Sequence, residues 1–169
     1  AITDYEYQLD GGDWTTAITT SSPVVITGLT NGTSYSIKLR AVNSLGVGAE
    51  SAAVTSTPAA TSNAPTALAT TPGDGKVSVA FTAPTSNGGA AITDYEYQLD
   101  GGTWTTASTT SSPVIITGLT NGTSYAIKLR AVNSAGDGAE SAAVTMTPAA
   151  ASNAPTDLAT TPGDGKVSV

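Results

Sequence analysis

The sequence contains no cysteine and no histidine, and only one methionine and one phenylalanine. Without cysteine there is no disulfide framework and no thiolate metal site. Without histidine or cysteine, the chain lacks the side chains most used for proton transfer and nucleophilic attack near neutral pH. Charge is scarce as well. Charged residues make up 11% of the chain, and 13 acidic residues against 6 basic ones leave a formal net charge of -7. An acidic balance of this kind gives no electrostatic footprint for nucleic acid or for an anionic membrane. No apolar run approaches the roughly 18 residues needed for a spanning helix, so no membrane insertion is expected. These absences predict no enzyme activity and no cofactor.

What the sequence has in abundance is threonine, serine and repetition. Residues 1–79 repeat as residues 91–169, an offset of 90, with differences at only nine positions. Among these are Asp13/Thr103, Val47/Asp137 and Ser56/Met146. The segment 80–90 occurs once. Self-similarity at a fixed period marks a tandem array. Two short, uncharged, Pro-bounded stretches, 58–65 and 148–155, read as stiff connectors. The expected organisation is therefore a partial module over 1–58, a linker over 59–63 and a complete module over 64–148. A second linker follows over 149–153, then the opening of a further module over 154–169.

Helix is poorly supported, because no apolar stripe of period 3.6 persists. Alternation of period 2 is frequent. Lys76–Phe81 places Val77, Val79 and Phe81 on one face. Asp94–Leu99 places Tyr95, Tyr97 and Leu99 inward, and Ser124–Arg130 does the same for Tyr125, Ile127 and Leu129. Asn-Gly, Asp-Gly and Gly-Gly pairs punctuate these runs with turn chemistry. The complete module reads as seven strands near 66–70, 76–82, 92–99, 103–108, 113–117, 123–132 and 140–147. Seven short alternating strands in one unit predict an all-β, immunoglobulin-like sandwich, repeated in tandem every 90 residues. On the same count, 1–58 is expected to hold five strands, the third to the seventh (C to G), and 154–169 the first two (A and B).

Particular residues carry a family resemblance. They are Ala64-Pro65 at entry, Val79–Pro84 on the second strand, Gly88-Gly89, Ile92–Tyr95, Gly118–Tyr125, Leu129–Asn133 and Thr147-Pro148. With these the module resembles a fibronectin type III domain. The family usually carries Trp on the second strand, where this chain has Phe81. The resemblance implies a tyrosine corner at Leu119 and Tyr125, repeated at Leu29 and Tyr35, that pins the crossover between sheets. The Cys-free, Thr- and Ala-rich style is similar to bacterial secreted versions of the domain, which implies an extracellular or cell-surface location. The loop 133–138 carries no Arg-Gly-Asp sequence, so no integrin role is implied.

Candidate sites are few. Trp14 and Trp104 sit at hairpin tips and are candidate platforms for a sugar ring; the competing reading is packing over the sheet edge. Asn31 and Asn121 begin Asn-Gly-Thr and fit the N-glycosylation pattern, and they equally fit a turn. Asp10 and Asp13 offer two carboxylates where calcium needs six to eight oxygens, and Thr103 replaces Asp13 in the second copy. Thr71–Lys76 lacks the spacing of a phosphate loop and joins two strands. No metal, catalytic or cofactor-binding residue is assigned.

Two functional readings remain. The first is a structural repeat of an extracellular filament, sheath or surface stalk. Its partners are other copies of the repeat, completed head-to-tail either covalently or by strand donation. The alternative is a spacer or weak carbohydrate-binding accessory module of a secreted polysaccharide-degrading enzyme, with polysaccharide or cell-surface components as partners.

Overall fold

The computed structural model describes residues 1–152, 159–164 and 166–168. Among the described residues there is no helix, and every regular element is a strand. The first copy contributes β1 (Ile2–Leu9), β2 (Trp14–Thr16), β3 (Tyr35–Asn43), β4 (Gly46–Val47) and β5 (Val54–Ser56). The second contributes β6 (Thr66–Gly73), β7 (Lys76–Thr82), β8 (Ile92–Leu99), β9 (Trp104–Thr106), β10 (Val114–Thr117), β11 (Tyr125–Asn133), β12 (Gly136–Asp137) and β13 (Val144–Met146). A hairpin of β14 (Thr161–Gly163) and β15 (Lys166–Ser168) follows.

The second copy is a sandwich of two antiparallel sheets. One runs β10-β7-β6; the other runs β12-β11-β8-β9, with β13 also on β11. Alternation explains what lies between them. Val77 and Val79 from one sheet, and Tyr95, Ile127, Leu129 and Ala131 from the other, are buried, as are Val114 and Ile116. Ile115, between the last two, is 52% exposed. Phe81, standing where the family usually has Trp, meets the Tyr95 ring at 4.5 Å between centroids with a 58° tilt. That is a favoured aromatic geometry, and it fills the second-strand position with less volume. Burial pushes the Tyr95 hydroxyl pKa upward. The seventh strand is split rather than continuous over 140–147. Between β12 and β13 the Ser141 hydroxyl accepts a hydrogen bond from the Leu129 N–H at 3.0 Å, and the Ser141 N–H donates to the Leu129 carbonyl at 2.8 Å. A side chain thus takes over one rung of the β-ladder.

The first copy has nearly the same sequence and a different outcome. Its strands form one sheet, β2-β1-β3-β4 with β5 on β3. Residues 24–27, which match β10, form no strand. The reason is pairing. In the complete module β10 bonds to β7, with Val114 opposite Val79 and Ile116 opposite Val77. Among the described residues no strand pairs with 24–27 to play that part. No residue over 1–58 is buried, although Tyr5, Val24, Ile26, Ile37, Leu39 and Ala41, the counterparts of Tyr95, Val114, Ile116, Ile127, Leu129 and Ala131, are all present. A strand with inward apolar residues needs a facing sheet to bury them, and local sequence cannot supply one.

The β14–β15 hairpin pairs Thr161 with Ser168 and Gly163 with Lys166. This repeats the register of Thr71 with Ser78 and Gly73 with Lys76 in the β6–β7 hairpin. The start of the further module over 154–158, and Val169, lie outside the described residues.

Candidate functional site

The outer face of the β8–β11 sheet gathers the polar chemistry of the complete module. Strand pairing sets Arg130 opposite Glu96 and Gln98 opposite Trp104. Arg130 bonds Glu96 at 2.6 Å and Asp137 at 2.8 Å. Its guanidinium lies 4.4 Å from the centre of the Trp104 ring. Trp104 is half-buried, with one ring face under this cation. A stacked guanidinium is held by the negative face of the indole, and its ion pairs keep it in place. The first copy repeats the stack, with Arg40 4.2 Å from the Trp14 ring and 2.7 Å from Glu6. Val47 replaces Asp137 there, so the second carboxylate is missing.

The sheet crossover is tied by side chains. The Tyr125 hydroxyl accepts from the Thr120 N–H at 3.0 Å, and Tyr35 does the same for Thr30. Leu119 packs half-buried against the core, and Leu29 is half-buried in its own copy. Asn121 works alongside. Its side-chain oxygen accepts from the Gly75 N–H at 2.9 Å, and its amide nitrogen donates to Asp74 at 2.6 Å. The Leu119 N–H donates to the Gly75 carbonyl at 2.9 Å. The amide that a glycan would modify is therefore a clamp between the Asn121 turn and the β6–β7 turn. Asn31 is exposed at the equivalent turn of the first copy.

Asp94 anchors the loop after β9. It accepts from the N–H groups of Tyr95 at 2.8 Å and Thr109 at 2.9 Å, and from the Thr106 hydroxyl. Burial alone would raise its carboxyl pKa. The Thr106 hydroxyl and the backbone N–H groups of Thr109, Tyr95 and Ser108 outweigh that and hold it below its ordinary value. A depressed carboxylate stabilises the fold above the unfolded-state pKa of about 3.9, and the contribution disappears as pH falls through the folded value. Asp94→Asn is therefore expected to lower the urea midpoint at pH 7, with a deficit that narrows below about pH 4. A deficit constant from pH 7 to pH 2 would contradict this.

Among the described residues no group of three or more acidic, His or Cys side chains is placed to hold a metal ion. Asp10 is instead engaged structurally, accepting from the Ser36 N–H at 2.7 Å. Two surface depressions lie on the second copy. One is lined by Thr71, Pro72, Gly73, Lys76, Ser78 and Ile115, and another by Ala64–Leu68 with Ala142 and Val144. No helix of the described residues is long and apolar enough to cross a membrane.

The sequence model of the fibronectin type III domain matches residues 63–147, half of the chain. The chain belongs to the fibronectin type III family. Its fibronectin type III fold also resembles solved structures of titin domains and of the FN1–FN3 domains of chicken CNTN1. The titin match has a TM-score of 0.62 and 19% identity, covering 86% of this chain and 54% of that one. The CNTN1 match has a TM-score of 0.51 and 20% identity, covering 86% and 56%. By sequence, the chain is 37% identical over 161 residues to Endoglucanase B of Cellulomonas fimi. That match covers 87% of this chain and 15% of the length of that protein.

The polar roles that sequence reading missed are those of Arg130 over the Trp104 ring, of Asn121 as a clamp, and of Asn133. Arg130 carried a usable signal, since it alternates outward opposite Glu96. The two asparagines carried none beyond their turn chemistry.

Proposed function

We propose that these fibronectin type III modules are a non-catalytic spacer array within a secreted polysaccharide-degrading enzyme. The observation that carries this reading is the 37% identity to Endoglucanase B across 87% of the chain. The match extends beyond a single module, so it is a likeness of tandem architecture. The side chains support spacing over catalysis. The partly buried carboxylates Glu96 and Asp94 are engaged by Arg130 and by loop hydrogen bonds, so neither stands free as an acid or base. They also favour spacing over sugar capture. Trp104 has one face covered by Arg130 and, among the described residues, no aromatic ring paired with it to form a sugar cleft.

Antibodies against the 169-residue chain would recover the natural secreted product for assay. The recovered product is expected to hydrolyse carboxymethyl cellulose, a soluble glucan. The 169-residue chain alone is expected neither to hydrolyse it nor to be retained on insoluble cellulose. A recovered product that has no hydrolase activity and assembles into filaments would overturn the proposal in favour of the structural-repeat reading. Retention of the short chain on cellulose, lost in Trp104→Ala, would replace the spacer with a binding module.

A further inference from the structure

The junction between the two copies is built by hydrogen bonds on both sides of a very short stretch of chain. The Pro58 carbonyl accepts from the Gly32 N–H of the first copy at 2.8 Å. The Ala60 N–H donates to the Gly88 carbonyl of the second copy at 2.8 Å. Only Ala59 lies between these anchors, and one residue spans at most about 3.6 Å, so the connection has no slack. The anchoring continues forward. The Asn63 N–H donates to Ser86 at 2.9 Å, and the Ser62 carbonyl accepts from the Ala139 N–H at 3.0 Å. Ser62 is 3% exposed.

Asn133 ties these pieces together. Its side-chain nitrogen donates to the Ala60 carbonyl at 2.9 Å and to the Asn87 carbonyl at 2.7 Å, while its oxygen accepts from the Ala135 N–H at 2.9 Å. Asn133 is buried, whereas Asn43, its counterpart in the first copy, is exposed.

The two copies also touch directly, backbone to backbone. A Cβ on Gly89 would overlap the Gly32 nitrogen and lie 2.6 Å from the Asn31 carbonyl carbon. A Cβ on Gly88 would overlap the Ala60 carbonyl. Both glycines have positive φ, at 72° and 86°. Only glycine allows this approach in this conformation. Asn31, Gly32, Pro58–Ala60 and Gly88-Gly89 carry no charge, so salt has nothing at the contact to screen.

We propose that consecutive copies dock through this glycine-to-glycine contact at one fixed angle, and that the Asn121-Gly122 turn is the docking surface for the Asn-Gly-Gly loop of another copy. The second turn is prepared in the same way as the first. Gly122 donates to the Pro148 carbonyl at 2.9 Å, as Gly32 does to Pro58, and both glycines have φ of 81°. The sequence Thr117–Tyr125 repeats Thr27–Tyr35 without change. Among the described residues nothing lies within 4 Å of a Cβ built on Gly122. Among the described residues, nothing covers in the second copy the surface that the loop Asn87–Gly89 covers in the first. The array is a rod with a repeated angle, set by main-chain geometry rather than by linker composition.

Residual dipolar couplings test this in the full chain preceded by a second copy of residues 64–90, which makes both modules complete. One alignment tensor is expected to fit both modules, at low and at high salt. Gly89→Val is expected to abolish the single tensor. If that variant fails to fold, Asn133→Ala reads the same junction, with Asn43→Ala as the matched control expected to keep the single tensor. Two independent tensors in the parent chain would overturn the proposal. So would a single tensor that survives both Gly89→Val and Asn133→Ala. None of these outcomes depends on whether the natural product is an enzyme.

Discussion

Placing a second copy of residues 64–90 ahead of Ala1 is expected to convert the first copy from an open sheet into a protected sandwich. The added segment brings the equivalents of β6 and β7. In the complete module, β7 pairs with β10 from Val114↔Val79 through Thr117↔Lys76. The same register is open to residues 24–27. Val24, Ile26, Ile37, Leu39 and Tyr5 are half-buried now, while their counterparts Val114, Ile116, Ile127, Leu129 and Tyr95 are at most 1% exposed. Full burial of a large apolar side chain contributes about 1.5–3 kcal/mol before entropy is subtracted, so completing it from half-buried contributes roughly half of that. Five such side chains together are comparable to the whole net stability of a marginal domain, which starts near 5 kcal/mol. The measurement is amide exchange over Tyr35–Asn43. Protection there is expected to rise to the level of Tyr125–Asn133. Unchanged exchange would show that the first copy does not need the missing sheet.

That comparison also explains how much could be read from sequence. Alternation of period 2 is a property of each strand alone, so β7, β8 and β11 and the residues they bury were legible in the chain. The repeat made them legible twice. The failure of 24–27 to form a strand was not, because Val24–Thr27 and Val114–Thr117 are almost the same four residues. What differs is a partner strand that lies outside both. The split of the seventh strand was hidden for a related reason, since Ser141 bonds a backbone group 12 residues away. Asn121 and Asn133 are the strongest case. Their partners Asp74 and Ala60 lie 47 and 73 residues off in sequence. A short polar side chain at a turn looks the same whether it faces water or holds two segments together. The Trp104–Arg130 stack was half visible, because strand alternation set Arg130 on the outer face but not the diagonal that brings it over the ring.

Leu129→Ala and Leu39→Ala are expected to differ sharply, although they change the same residue in the same local sequence. Leu129 is fully buried between two sheets, against a cluster that includes Val77, Val79, Tyr95 and Ile127. Truncating it removes transfer free energy and leaves a cavity, at a cost of about 2–5 kcal/mol. A module with ordinary stability of roughly 5–15 kcal/mol would lose a large share of it. Leu39 is half-buried on a sheet that has no facing layer. Its truncation leaves a surface that water already reaches, so the cavity component vanishes. The cost there is about half of a full leucine burial, near 1 kcal/mol. Trp14 and Trp104 make the two copies separately readable by fluorescence in urea, once either is replaced by Phe. Restoring the missing sheet with residues 64–90 supplies the decisive arm. In that longer chain Leu39→Ala is expected to cost as much as Leu129→Ala, because the cavity component returns with the layer that encloses it. Equal costs in the shorter chain would show instead that the leucine acts within its own sheet, and that the facing layer contributes little to holding the module together.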